Sequence, residues 1–224
     1  MAPAGGWVGS LWPMTTRGCF VVLDGPDGGG KTTQALRLVR RLQAAGRDVL
    51  HVRDPGSTVV GERIRDVLLD PALGEVVPMC EMLLYQAARA QLARGTIGPA
   101  LDAGRDVVCE RWHYATTAYQ AFGGGVPREA VVLTSELATG GVEPHAALLL
   151  DVAADVAATR MDRPKDRIEA RARSYRDRVA EGFREVFAED PSRRHVIDAS
   201  ASPDEVEAAI WRHVEPLLSG EPRP

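Results

Sequence analysis

Gly25-Pro26-Asp27-Gly28-Gly29-Gly30-Lys31-Thr32 fits the pattern G-x-x-x-x-G-K-S/T, and its flanks decide the fold. Before it runs Cys19-Phe20-Val21-Val22-Leu23, a short continuous apolar stretch of the kind that forms a buried parallel strand. After it, over residues 31–45, Ala35, Leu36, Leu38, Val39 and Leu42 recur at helical spacing, and Gly46 supplies a stop. Strand, glycine-rich loop and helix in this order make a phosphate-binding loop. Gly25, Gly28, Gly29 and Gly30 open dihedrals closed to other residues, so that successive N–H groups converge on phosphate oxygens at the helix N-terminus. Lys31 brings a full charge to the β- and γ-phosphates, and the Thr32 hydroxyl can ligate Mg2+. The implied ligand is a nucleoside triphosphate, and Thr33 falls within the same phosphate-binding set.

Outward from this loop, four more strands are expected at 48–52, 106–110, 146–151 and 195–198. Helical patterns separate them at 60–69, 78–94, 97–103, 128–138, 154–161, 168–188 and 203–218. This alternation predicts an α/β fold of three layers, with a parallel sheet covered on both faces and ligands at the carboxyl ends of its strands. Three polar motifs fall at those ends: the phosphate loop, the turn Arg53-Asp54-Pro55-Gly56, and Glu110-Arg111. The chain is expected to be a single domain over residues 18–219, preceded by a loose extension at 1–17 and followed by a short tail at 220–224.

Composition narrows the function classes. At 224 residues and 45% hydrophobic content the chain can bury a sizeable core without disulfides or metal. Cys19, Cys80 and Cys109 are widely spaced in apolar surroundings and are expected to be core thiols of a reducing compartment. A net charge of −4 without a basic tail argues against a nucleic-acid polymer as partner. The opening residues lack the pattern of a secretory leader, and no apolar stretch approaches the ~20 residues needed to cross a bilayer. A soluble cytoplasmic protein with no membrane partner is the expectation.

A second basic constellation runs from Arg160 to Arg178 and is broken by Pro164. Phosphoryl transfer depends on positioned cations, and a mobile flap that carries arginines would also exclude water. Arg160, Arg163 and Arg167, which flank the proline, are assigned to such a lid at about 160–168. Arg171 to Arg178 alternate with acidic residues and are expected to form a solvated helix face.

Taken together these segments resemble the thymidylate kinase family, of the bacterial type that keeps catalytic arginines in its lid. The pieces are DGPDGGGKTT, RDPGST followed by GERIR, EMLLYQAARAQL with IGPAL, ERWHYATTAYQ, LLLDV, DRIE and VIDAS. The resemblance implies a P-loop fold with a five-stranded sheet in the order 2-3-1-4-5, ATP under the lid, Mg2+, a deoxynucleoside monophosphate acceptor and a homodimer. By position, Asp27 lies near the acceptor phosphate, and Arg53 and Arg111 grip it. Tyr85 replaces the usual phenylalanine that stacks on the pyrimidine, and Arg89 bonds the base edge. Tyr119 packs beneath the deoxyribose, while Thr116 and Gln120 border the base. Lys31, Asp27, Glu110, Arg111 and Arg163 form the implied catalytic set, with Thr32 and Glu110 at the metal.

The chain also departs from the family pattern. Glu110-Arg111-Trp112 stands where Asp-Arg-Tyr or Asp-Arg-His is usual, Ser57 where a glycine is usual, Ala115 for a serine, Gly124 for an arginine and His145 for an aspartate. The reaction implied is transfer from ATP to dTMP. A kinase for a modified pyrimidine nucleotide, a deoxynucleoside kinase that acts on a 5′-hydroxyl, and a nucleotide-binding protein without transfer activity stay open at this point.

Overall fold

The computed structural model of the chain describes residues 17–160 and 166–218. Residues 1–16 of the expected extension, the expected tail, and residues 161–165 of the expected lid, Arg163 among them, lie outside the described residues. Five strands, β1 (Phe20–Asp24), β2 (Val49–Arg53), β3 (Asp106–Glu110), β4 (Ala146–Asp151) and β5 (Arg194–Asp198), form one parallel sheet in the order β2-β3-β1-β4-β5. The expected fold class and strand order are both present, and strand boundaries shift by one residue at most.

Alternation along β1 explains the two cores. Phe20 and Val22 point into one layer with Val107, Cys109, Ala147 and Leu149 from β3 and β4. Val21 and Leu23 point into the other with Val108, Leu148 and Leu150. On that second face lie α1 (Lys31–Ala44), through Ala35, Leu38 and Leu42, and α9 (Pro203–Val214), through Val206, Ile210 and Val214. The first face is covered by α3 (Pro78–Leu92), α4 (Gly98–Asp102) and α8 (Arg173–Ala188), with Leu92, Leu101, Phe183 and Phe187 buried in the contact.

Local chemistry sets the helix ends. Thr58 caps α2 (Val59–Leu69) by accepting from Gly61 N–H at 2.9 Å. Ser202 and Glu205 form a reciprocal capping box at α9, with Pro203 in the first turn. Gly140 ends α6 (Arg128–Thr139) in the left-handed region at φ 62°.

The structure differs from the sequence-based expectations at four places. Residues 78–94 and 97–103 are not separate helices, because a π-helical turn at Ala93–Ile97 carries α3 into α4. A helical stretch over residues 113–123 is absent from those expectations: α5 (His113–Thr116) continues as a π-helical turn, Thr117–Gly123. It is buried on most sides, so it shows no amphipathic stripe, and its Thr and Tyr residues are weak helix formers. Helix α8 begins at Arg173 instead of residue 168, because Asp166 Oδ1 accepts from the N–H groups of Ile168 and Glu169, both at 2.9 Å, and holds a turn there. Cys80 is exposed, in contrast to Cys19 and Cys109, which are buried as expected.

Candidate active site

The carboxyl ends of β1, β2 and β3 open into two adjoining clefts. One is lined by Gly28, Gly30, Lys31, Thr32, Thr33, Arg53 and Glu110. The other is lined by Tyr85, Arg89, Ala115, Thr116, Tyr119 and Gln120 among others. Asp27, Asp54, Arg65 and Arg111 line both, so the clefts meet at these four side chains.

The first cleft is built by backbone. Gly25, Gly28 and Gly30 have φ of 130°, 77° and 83°. A Cβ at Gly28 would lie 2.4 Å from the Ala157 carbonyl oxygen, and one at Gly25 would lie 2.7 Å from that of Leu150. These positions therefore require glycine on both conformational and steric grounds. Lys31 folds back over the loop and donates to the carbonyls of Gly25 at 3.1 Å and Pro26 at 2.7 Å. Burial and the nearby Arg111 lower its pKa to about 8, against the pull of Asp27, Asp24 and Glu110. A bound polyphosphate would supply the missing negative charge.

Below Lys31, Thr32 Oγ1 donates to Glu110 Oε2 at 2.5 Å, and His51 Nε2 lies 3.0 Å from Glu110 Oε1. Burial would raise the Glu110 pKa, but hydrogen bonds from His51 and Thr32 outweigh it and hold the carboxyl ionised. A hydroxyl beside a carboxylate at the mouth of a phosphate loop is a hard-oxygen donor set that suits Mg2+. Among the described residues no group of three or more His, Cys, Asp or Glu side chains could hold a metal on its own.

Where the clefts meet, cations crowd together. Arg111 has φ 70°, rare for a side-chain-bearing residue, and its N–H donates to the Leu23 carbonyl at 2.9 Å. The twist aims its guanidinium at the Gly25 carbonyl, 2.8 Å away, and at Asp27. Burial would raise the Asp27 pKa, yet Arg111, Lys31 and a hydrogen bond from Tyr119 bring it down to about 2. Arg53 reaches Glu62 at 2.9 Å and lines the phosphate cleft. Arg65 donates to the Pro55 carbonyl at 3.1 Å, and its pKa is lowered by burial and then by repulsion from Arg53 and Arg111. Three guanidinium groups facing one another form a site for an anion. The turn that supplies Arg53 also accounts for Ser57: at φ 59° it takes the left-handed conformation expected of a glycine. Its hydroxyl accepts from Arg53 N–H at 2.8 Å, and its N–H donates to Glu62 at 2.7 Å.

Side chains build the second cleft. Arg89 is 1% exposed and spends its donors on Asp54 at 2.6 Å, Gln86 at 2.7 Å and Thr116 at 2.9 Å. Tyr85, one helical turn earlier on α3, lines the same cavity. Tyr119 donates to Asp27 at 3.3 Å and packs edge-on against Phe183. Gln120 donates to Glu81 at 2.9 Å, and its Oε1 is buried without a hydrogen-bond partner. Trp112, where the family usually has Tyr or His, is fully buried edge-on against Phe20 beneath Arg89.

The arginines after residue 159 take other places. Arg160 donates to the Ala199 carbonyl at 2.8 Å, beyond the end of β5. Arg167 is buried, donating to the Leu68 carbonyl at 3.0 Å and to Glu81 at 2.6 Å. Neither is among the described residues that line the phosphate cleft. Arg171 is not on a solvated face: it bonds Glu81 at 2.8 Å and stacks on Tyr175. Arg178 caps the Phe122 and Gly123 carbonyls at 3.2 and 2.8 Å. Of the expected helical ion pairs, Arg173 with Asp177 is formed, at 3.9 Å.

Sequence reasoning missed Arg65, Asp54 and Glu81. Arg65 stands within the segment GERIR, on the helix that follows the Arg53 turn, and its inward spacing was the available signal. Asp54 stands within the Arg53 turn, where nothing local marks it as the partner of Arg89. Glu81 looked like an ordinary acidic residue in the first turn of a helix.

A strand-loop-helix phosphate cradle that adjoins a side-chain-lined cavity through a cluster of arginines defines a P-loop kinase that acts on a phosphorylated nucleotide. The comparisons agree. The family model for thymidylate kinase matches residues 23–210. The thymidylate kinase of Deinococcus radiodurans is 41% identical over 201 residues, covering 89% of this chain and 97% of that protein. That of Synechococcus sp. strain JA-3-3Ab is 42% identical over 208 residues, covering 92% of this chain and all of that protein. Among solved structures, the thymidylate kinase of Ehrlichia chaffeensis superposes with a TM-score of 0.73 at 26% identity, covering 89% of this chain and 99% of that chain. The chain belongs to the thymidylate kinase family.

Proposed function

We propose that the protein transfers the γ-phosphoryl group of ATP to the 5′-phosphate of dTMP, giving ADP and dTDP. The observation that carries the reading is the junction itself: two adjoining clefts share Asp27, Asp54, Arg65 and Arg111, so a donor in one and an acceptor in the other would point their phosphates at the same spot. An acceptor phosphate oxygen attacks the γ-phosphorus as the bond to the β–γ bridging oxygen breaks, and that oxygen leaves with ADP. Lys31 and the loop amides hold the donor phosphates, while Arg111, Arg53 and Arg65 neutralise the acceptor so that two polyanions can approach. Thr32 and Glu110 would hold Mg2+, which when bound offsets charge on the β- and γ-phosphates. Arg163 and its neighbours in the lid are assigned to the migrating group. In the second cleft Tyr85 stacks on the base, Arg89 and Gln120 read its edge, and Tyr119 lies under the sugar.

The deoxynucleoside kinase alternative needs a carboxylate that removes a proton from a 5′-hydroxyl. Of the two carboxylates at the junction, Asp27 is held by Arg111 with a pKa of about 2, which makes it a poor base, and Asp54 is tied to Arg89 at 2.6 Å. Three arginines facing the acceptor also suit a dianion far better than a neutral hydroxyl. ADP release, measured with ATP plus dTMP, thymidine or no acceptor, tests the reading. Release with dTMP alone is expected, and release with thymidine alone would transfer the protein to the other class.

A homodimer belongs to the same proposal. Exposed apolar side chains on three adjoining helices, Val67 of α2, Leu83 of α3, and Leu133 and Leu137 of α6, form a face that a second copy would cover. ATP and dTMP are cytoplasmic metabolites, which makes the cytoplasm the proposed compartment. No helix of the described residues is long and apolar enough to cross a membrane.

A further inference from the structure

His51 is not among the described residues that line the phosphate cleft, yet its imidazole bonds to one that does. It stands on the edge strand β2, in register with Val108 and therefore two residues short of Glu110 on the neighbouring β3. Alternation along the strands turns His51, Val108 and Glu110 toward one face of the sheet, the face on which Val108 packs beneath α1. Thr32 lies in the first turn of that helix. Glu110 Oε1 lies 3.0 Å from His51 Nε2, and its Oε2 accepts from Thr32 Oγ1 at 2.5 Å. An ionised carboxylate only accepts, so Nε2 carries the hydrogen and donates it. One donor on each oxygen fixes the carboxylate. Lone pairs are left over on both oxygens and on the Thr32 hydroxyl for an ion or its waters.

The chain's departure from its family at position 110 gives this bond a task. Glutamate carries one more methylene, and with it one more torsion, than the aspartate usual there. The added reach takes the carboxylate to a point where His51 can hold it, and the added freedom is what needs holding. Bound at one oxygen by Thr32 alone, the longer side chain would have to be ordered by the ion itself, at a cost in affinity. A partner that orients a ligating carboxylate in advance removes that cost.

We infer that His51 is the positioning residue of the magnesium site: by bonding Glu110 Oε1 it holds the longer carboxylate beside Thr32, ready for the ion that accompanies the donor phosphates. The inference rests on the proposed assignment of Thr32 and Glu110 to Mg2+. It adds a residue outside the cleft that acts through Glu110 alone. A His51 that merely completes β2 would matter to folding and not to the metal.

The test reads metal binding without turnover. Mn2+ stands in for Mg2+, the nucleotide is the non-hydrolysable β,γ-imido analogue of ATP with enzyme in excess, and the EPR signal of free Mn2+ gives its Kd from the ternary complex. Calorimetry in EDTA gives the affinity of the same nucleotide without metal. In His51→Leu the Kd for Mn2+ is expected to rise about tenfold or more, while the metal-free affinity stays at the wild-type value. His51→Gln, whose amide N–H can reach the same oxygen, is expected to keep most of the wild-type affinity for Mn2+. In a Glu110→Ala background His51→Leu is expected to add no further loss, because the group it positions is gone. An unchanged Mn2+ affinity in His51→Leu, a matching loss of metal-free affinity, an equal loss in His51→Gln, or a loss that persists in the Glu110→Ala background would each overturn the inference. Should His51→Leu fail to fold, as judged by thermal unfolding, His51→Ala takes its place under the same criteria. A Glu110→Ala variant that alone binds Mn2+ as the wild type does would overturn the assignment beneath.

Discussion

The two clefts that meet at Asp27 and Arg111 are made of different material. The phosphate cleft is mostly backbone: one short run, Gly25 to Thr32, sets its shape, and glycines at fixed positions are needed because a Cβ would strike the Ala157 or Leu150 carbonyl. The base cavity is mostly side chain, drawn from the Arg53 turn, α3 and the helical stretch at 113–123, and held by buried ion pairs between residues far apart in sequence. A backbone site tolerates change in what surrounds it but not within it. A side-chain site can be retuned one contact at a time, and two of the chain's departures from its family's pattern fall here, with Ala115 in the lining and Trp112 beneath Arg89.

Breaking the phosphate side is expected to give the largest effect. Lys31→Ala removes the charge that acts on the donor phosphates in the transition state. It is expected to lower kcat by about a thousandfold or more while the melting temperature stays close to wild type. Loss of less than tenfold would remove Lys31 from the mechanism.

The corresponding change on the base side, Arg89→Met, should act on both stability and binding. It strips a buried carboxylate, Asp54, of its ion-pair partner at 2.6 Å. Leaving such a charge unpaired costs about 3–5 kcal/mol, which is about 10 °C in melting temperature for a chain of this size. KM for dTMP is expected to rise about tenfold to a hundredfold, with KM for ATP little changed. Equal rises in both would mean that the clefts are not separable.

The two clefts should also differ in protonation. Lys31 has a folded-state pKa of about 8 against its ordinary 10.5, so between these values the unfolded chain holds a proton that the folded one lacks. Stability contributed by this group therefore rises with pH across that window, whereas affinity for ATP, which needs the charged lysine, falls. Calorimetry of ATP binding at pH 8 in buffers of different ionisation enthalpy is expected to show uptake of about half a proton. Binding of dTMP alone is expected to show less.

The smallest effect on the clefts belongs to the face outside them. Leu133→Arg places a charge amid the exposed apolar side chains of α2, α3 and α6, and light scattering is expected to show a dimer for the wild type and a monomer for the variant. A monomeric wild type would dispose of the dimer proposal and leave the clefts as they are.

How much of this was visible in the sequence follows the same division. The sheet, its order and the phosphate loop were legible because contiguous apolar runs and a glycine pattern encode them locally. The α5 stretch was not, because a helix buried on most sides carries no periodic polar face. Arg171 illustrates the limit best. Its alternation with acidic residues suggested a solvated helix, but Asp166 spends its carboxylate on capping its own turn, and Arg167 and Arg171 turn inward to Glu81. Nothing local in sequence marks a carboxylate on α3 as their partner. Tyr85, Arg89, Thr116, Tyr119 and Gln120, assigned by resemblance, line one cavity, whereas Arg160 and Arg167 bond elsewhere and are not among the described residues that line the phosphate cleft.

The claim on which the rest depends is that both clefts fill at once with their phosphates meeting at Arg111 and Asp27. A molecule in which adenosine and thymidine are joined 5′ to 5′ through five phosphates tests it directly. One equivalent is expected to bind with higher affinity than either nucleotide and to compete with both ATP and dTMP. Competition with one of them alone, leaving the other free to bind, would contradict the account.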